Sequence, residues 1–322
     1  MYFPPLIEEN EYLSRIGEIL KDLKPYKTVE KVAGFDSAEL YLERYVRPEN
    51  TANIVRLHGF TEFSEKYTEM IWYYFNLNMN VFIYDQRGHG FSHRGVDDIK
   101  LIHVSSFYDY VKDLDTIIEN QVKVYGKDLP IYLFSHSMGG AVAALYVAEH
   151  PEKIEKSVMS SPMISPKTHN IPRKLVMWKA NKHGVSDGWE NRFPYASDFD
   201  PDVNFKDTVD GSEVRFNWIF KLRLATPEYQ SASATNRWMW EALNVQDLIL
   251  KHKNLKNTNT QVLILSAGNE TVVKNKLQLK YAKKINNCEF VTIDGAKHNL
   301  FISSGEMLHN YYNRVFTFLS RR

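Results

Sequence analysis

The chain has 322 residues, 43% of them apolar and 25% charged, which is the make-up of a globular protein with a hydrophobic core of its own. Its 40 lysines and arginines nearly cancel 39 aspartates and glutamates, and that balance excludes the basic surface of a nucleic-acid-binding protein. One cysteine, Cys288, excludes an internal disulfide; no apolar run has the length of a membrane span or a signal peptide, and the eleven histidines are scattered, so the reading is a soluble, cytoplasmic protein without metal or cofactor.

Short apolar runs alternate with amphipathic segments, which predicts an α/β fold with a mostly parallel eight-stranded sheet and helices on both faces. The first strands are predicted at 28–32 and 39–46. The second alternates around Leu40 and Leu42, as an exposed antiparallel edge does. Buried strands follow at 53–57 and 81–84, with a helix at 65–76 covering the crossover between them. Phe107, Val111, Leu114, Ile118 and Val122 recur at helical spacing, which predicts a helix over 105–124 capped by Ser105 or Ser106. A strand at 131–134 leads into a helix over 139–150 that starts with small residues, and another strand follows at 157–160. The chain then closes with strands at 262–265 and 290–293 and helices at 276–285 and 307–319.

Between 162 and 244 the rhythm breaks. Prolines, short polar stretches and five of the six tryptophans fall here. The predicted organisation is a core in two parts, 1–161 and 245–322, with an inserted helical cap at 162–244 between the sixth and seventh strands. At least half of the cap aromatics are expected to form its own packing.

Four loops carry the chemistry. Ile131-Tyr132-Leu133-Phe134-Ser135-His136-Ser137-Met138-Gly139-Gly140 is a strand, a tight turn and a small-residue helix start. That is the setting of a nucleophile elbow, G-x-S-x-G, with Ser135 at the first glycine position and Ser137 as nucleophile. After an upstream strand, Leu57-His58-Gly59-Phe60 offers the Phe60 N–H, and the residue after the nucleophile offers the Met138 N–H, as the two donors of an oxyanion hole. His298, in the loop after the last strand, is the candidate base. Glu270, in the loop after the strand at 262–265, is the candidate orienting acid, with Asp294 as its rival. His89 is assigned a structural part in the loop 84–92.

These segments resemble the bacterial lysophospholipases and monoacylglycerol lipases of the α/β-hydrolase superfamily. The resemblance is carried by 84–92, by Phe107-Tyr108-Asp109-Tyr110-Val111-Lys112-Asp113-Leu114, by 135–140, 227–243 and 267–275, and by Gly295-Ala296-Lys297-His298. It departs from the family at Ser135, for the usual glycine, and at Glu270, for the usual aspartate. It implies an α/β-hydrolase fold and a serine carboxylic-ester hydrolase for a small amphiphilic ester, with the apolar cap enclosing the acyl chain. Transient contact of the cap with a membrane surface belongs to the same expectation, although no basic amphipathic anchor stands out in the sequence. The competing readings are an amidase or aminopeptidase on the same fold, with a pocket for an amine, and a non-catalytic ligand-binding homologue. Ser137 excludes the epoxide hydrolases and dehalogenases, which place an aspartate at the elbow.

Overall fold

The computed structural model describes residues 3–321. Its centre is an eight-stranded sheet made of β1 (Lys27–Ala33), β2 (Glu39–Tyr45), β3 (Ala52–Leu57), β4 (Met79–Tyr84), β5 (Ile131–His136), β6 (Lys156–Ser160), β7 (Gln261–Ala267) and β8 (Cys288–Ile293). The strand order is β1-β2-β4-β3-β5-β6-β7-β8. β2 is antiparallel to both of its neighbours, and all other neighbours pair in parallel.

The expectation that 39–46 forms an exposed edge is corrected: β2 lies inside the sheet, and β1 is the edge. The polar residues that suggested an edge are buried with partners. Glu43 accepts from Lys27 Nζ at 2.9 Å and from the hydroxyls of Tyr41 at 2.9 Å and Tyr45 at 2.7 Å. Arg44 makes a two-pronged pair with Glu30 of β1 at 2.6 and 2.8 Å. A charge whose hydrogen bonds are met by the neighbouring strand can be buried at tolerable cost.

On one face of the sheet pack α1 (Tyr12–Leu23), α2 (Thr68–Asn76) and the C-terminal helix Gly305–Ser320. α1 was not anticipated, although Tyr12, Ile16, Ile19 and Leu23 bury one helical stripe. On the other face pack α3 (Tyr108–Ile117), α4 (Met138–Glu149) and the helix Asn275–Ala282. α3 is shorter than predicted because the chain widens into a π turn at Ile118–Val122 before a last helical turn at Lys123–Gly126. Ser106 does serve at its start: its Oγ accepts the Tyr108 N–H at 3.3 Å, and its own N–H donates to Asp109 at 3.0 Å. α4 is buried on all sides, which is why Ala and Gly dominate its sequence.

Between β6 and β7 lie α5 (Arg173–Asp187), α6 (Glu213–Ala225) and α7 (Asn236–Leu250). α7 runs unbroken through residue 244, and Val245, Ile249 and Leu250 join the core beneath it. α6 is pinned to the rest by Arg215, which donates to Glu69 of α2 at 2.7 and 2.9 Å and to the Ile7 carbonyl at 2.6 Å. A two-residue ribbon, Leu101–Ile102 with Ser233–Ala234, ties α7 to the loop after β4.

The topology fixes where a site can form. From β3 the chain moves to β4 on one side, while β5 to β8 build outward on the other. The loops after β3 and β5 therefore diverge and leave a crevice at the carboxyl ends of these two strands, where ligands of open α/β sheets bind.

Candidate active site

Ser137 occupies the turn between β5 and α4 with φ 48° and ψ −114°. A residue with a side chain in this region is strained by about 1–3 kcal/mol. Three backbone hydrogen bonds hold it there: the Ser137 N–H donates to Ser160, and its carbonyl accepts from Gly140 and Met163, at 3.1, 2.9 and 2.8 Å. The turn lifts the hydroxyl off the sheet edge toward the loops from β7 and β8.

There the Ser137 Oγ stands 2.9 Å from His298 Nε2, and His298 Nδ1 donates to Glu270 Oε2 at 2.8 Å. The other oxygen of Glu270 accepts the N–H groups of Val272 and Val273 at 2.7 and 3.2 Å. Burial pushes the Glu270 carboxyl upward, but the imidazole and the two amides outweigh it and hold the group below the ordinary glutamate range. The two loops are tied together by the Gly268 and Asn269 N–H groups, which donate to Ile293 and Ala296 at 2.9 Å each. All three side chains are buried. Asp294 is exposed and makes no bond to His298.

The N–H groups of Phe60 and Met138 have no acceptor among the described residues. They lie on facing segments because Gly139 lets α4 approach β3: a Cβ on Gly139 would sit 2.6 Å from the Leu57 carbonyl and 2.7 Å from that of His58. Behind Phe60, Glu62 accepts the Gly59 N–H at 2.5 Å, the Lys66 ammonium at 2.5 Å and the Tyr67 hydroxyl. Burial works against its charge, yet Lys66 and His136 hold it well below the usual carboxylate range. The sequence reading missed this carboxylate; the i, i+4 spacing of Glu62 and Lys66 was the available signal.

His58 is buried and its two nitrogens are committed: Nδ1 donates to Gly59 at 2.7 Å and Nε2 accepts from Gln86 at 2.8 Å. Burial lowers its pKa to about 4, so it is neutral. His89 packs edge-on against it at 5.0 Å, buried, with Nδ1 on the Arg87 carbonyl. Its surroundings are those of a packing residue.

In front of Ser137 opens a cavity of about 560 Å³. Phe60, Phe63, Phe216, Ile219, Phe220 and Val272 supply its apolar lining. Glu62, Lys66, Asp210 and Arg223 make another part of the wall charged, which the sequence reading did not anticipate. Of the aromatics in residues 162–244, Phe193 and Trp238 are buried, whereas Trp178 and Tyr195 are 56% and 65% exposed. Trp238 reaches the loop after β3, with its ring 3.9 Å from that of Phe60. Trp178 lies on one helical stripe of α5 with exposed Leu175 and Val185 and with Lys174 and Lys182. Among the described residues, no helix is long and apolar enough to cross a membrane, and no group of His, Cys, Asp and Glu is placed to hold a metal ion.

Comparison with known proteins adds the relatives. The family model Hydrolase_4, described as "Serine aminopeptidase, S33", matches residues 48–304. "Probable lysophospholipase L2" of Haemophilus influenzae is 24% identical over 309 residues, covering 95% of this chain and 96% of the relative. The human "Monoglyceride lipase" is 34% identical over 142 residues, 44% of this chain and 45% of the relative. Among solved structures, a soluble variant of monoglyceride lipase from Saccharomyces cerevisiae in complex with a substrate analog superposes with TM-score 0.72 at 18% identity, over 91% of this chain and 94% of that one. That likeness establishes the α/β-hydrolase fold.

Proposed function

The chain belongs to the Hydrolase_4 family, the serine hydrolases described as "Serine aminopeptidase, S33", and from that premise we propose that it hydrolyses the carboxylic ester of monoacyl lipids, lysophospholipid or monoacylglycerol, through an acyl-enzyme. The observation that carries this reading is the unbroken line from Ser137 Oγ through His298 to Glu270, at 2.9 and 2.8 Å, beside two unpaired backbone N–H groups. In this reading His298 takes the Ser137 proton as the hydroxyl attacks the ester carbonyl, and Glu270 holds the tautomer that leaves Nε2 free to accept it. The Phe60 and Met138 N–H groups bind the oxyanion, and the positive end of α4 adds to them. The tetrahedral intermediate collapses, the C–O bond breaks, and the alcohol leaves with the proton from His298. Water then attacks the acyl-serine by the same route and releases the fatty acid.

The names of the relatives support a monoacyl lipid as substrate, and the apolar lining offers the acyl chain about 0.8 kcal/mol per buried methylene. Residues 162–244 serve in this reading as a cap, and the exposed Leu175, Trp178 and Val185, flanked by Lys174 and Lys182, as the face that meets aggregated lipid. A cytoplasmic location goes with the same reading. The test is hydrolysis of p-nitrophenyl esters from acetate to palmitate by wild type and Ser137→Ala. Turnover that rises with chain length and disappears in the variant is expected; no serine-dependent ester turnover would remove the proposal.

One observation favours a second reading, amide hydrolysis at an amino terminus. Asp210 lines the cavity with one carboxylate oxygen bound by Asn299 at 2.6 Å and the other without a donor among the described residues, as an amine site requires. Amino-acid anilides offered beside the esters separate the two readings.

A further inference from the structure

The charged part of the cavity wall contains one cation, Arg223, without an ion-pair partner among the described residues. Arg223, in the last turn of α6, lines the same cavity as Ser137. Its Nε donates to the Tyr229 carbonyl and one Nη to that of Ser231, each at 3.0 Å, and the guanidinium lies 4.8 Å from the Phe199 ring centre. These bonds fix the fork, while the remaining Nη has no acceptor among the described residues. Among the described residues no carboxylate reaches ion-pair distance of it, in contrast to Arg215, which has Glu69 at 2.7 Å, and Arg87, which has Asp113 at 2.6 Å. Burial lowers the Arg223 pKa to about 10, against the pull of Glu62 and Asp210, and leaves the group charged at neutral pH. A desolvated cation without a counter-ion is costly, and its cost is offset when a ligand supplies the anion.

We infer that Arg223 is a head-group residue that binds the phosphodiester of a lysophospholipid, so that the enzyme discriminates in favour of phosphate-bearing monoacyl lipids over monoacylglycerol. The inference rests on the monoacyl-lipid reading above. A guanidinium held as a fixed fork suits a phosphate, which accepts charge-assisted hydrogen bonds on two oxygens. The neighbouring charges set how much negative charge is welcome. Lys66 and Glu62 neutralise one another at 2.5 Å, and Asp207 and Asp210 line the same space. A singly charged phosphodiester therefore fits better than a doubly charged phosphomonoester.

The experiment compares kcat/KM for lysophosphatidylethanolamine and for the monoacylglycerol of the same acyl chain, in wild type, Arg223→Gln and Arg223→Lys. Removing a charge-assisted hydrogen bond that only the phospholipid makes lowers the ratio of the two constants by about ten-fold or more in Arg223→Gln, and lysine restores part of it. A ratio that stays within about two-fold of wild type in Arg223→Gln overturns the inference, since a hydrogen bond to a charged group is worth more than that. Because Arg223 also binds Tyr229 and Ser231, a second measurement uses wild type alone. Glycerophosphoethanolamine is expected to inhibit p-nitrophenyl butyrate hydrolysis competitively, well below the concentration at which glycerol does; equal potency overturns the inference. Failure of wild type to hydrolyse either lipid or any p-nitrophenyl ester sinks the ester reading and the head-group role with it. Ester turnover without a head-group effect sinks the role of Arg223 alone.

Discussion

Replacing Glu270 by glutamine tests the chemical logic of the site with minimal change of shape. Oε1 of Glu270 is held by the amides of Val272 and Val273, so the glutamine oxygen takes that place and its NH2 turns toward His298. Two donors cannot face each other across 2.8 Å, and His298 must move its proton to Nε2. The imidazole then presents N–H, not a lone pair, to the Ser137 hydroxyl 2.9 Å away, and it cannot accept the proton. Loss of the orienting carboxylate in a Ser-His-Asp triad costs about 10⁴ in kcat, and we expect about 10³- to 10⁴-fold here, or roughly 4–5.5 kcal/mol of barrier. The assay is p-nitrophenyl butyrate turnover, with the active sites counted by a fluorophosphonate probe and the fold checked by thermal melting. Asp294→Asn is the control, because Asp294 is exposed and has no bond to His298; its kcat should stay close to wild type. A Glu270→Gln enzyme within ten-fold of wild type, or an Asp294→Asn enzyme equally impaired, would refute the assignment.

Gly139→Ala drives a Cβ into the carbonyls of Leu57 and His58, at 2.6 and 2.7 Å, so urea unfolding should show a loss of about 1–3 kcal/mol and ester turnover should fall with it. His58, lowered by burial from 6.5 to about 4, favours the folded state while neutral, and that contribution is lost as pH falls from about 6.5 toward 4, by roughly 3 kcal/mol. Asp85, which burial pushes up to about 6, has the opposite sign, since its contribution declines as pH rises from 3.8 to 6. The readout is therefore the difference in stability between wild type and His58→Gln at pH 7 and pH 5, which should shrink at the lower pH; a constant difference refutes it. Leu175→Ser with Trp178→Ser should weaken turnover of vesicle-borne substrate and spare p-nitrophenyl acetate; equal effects on both remove the lipid-facing part assigned to α5.

Much of the framework was legible because it is local. Each predicted strand falls on an observed one, since a buried parallel strand must be an apolar run ended by a polar loop. Ser137, Glu270 and His298 were placed together because each follows such a run, and the sheet order brings those loops side by side. What escaped depends on distant partners. Glu43 and Arg44 read as edge residues because Lys27 and Glu30, which pair with them from β1, share the sheet but no sequence period. The π turn in α3 leaves its hydrophobic spacing intact and so left no trace in the pattern. Arg223 and Asp210 stand in the stretch 162–244, which has no clear periodicity, and nothing in the sequence says that they line the same cavity as the serine.

The Arg215–Glu69 pair has a bearing on how the chamber admits its guest. Swinging α6 outward would strand two charges that now satisfy each other at 2.7 Å, a penalty of about 3–5 kcal/mol. That side of the chamber is a fixed wall, and Arg223 rides on it. Residues 189–209, which contribute Ser197 and Val203 to the lining, are anchored as well: the Phe193 N–H donates to Ala234 at 2.9 Å, the Asn191 carbonyl accepts from Asn236 at 2.8 Å, and the Val209 carbonyl accepts from Asn299 at 3.2 Å. A change as remote as Ile7, whose carbonyl holds Arg215 from the far side, can therefore alter the shape of the chamber without touching its lining.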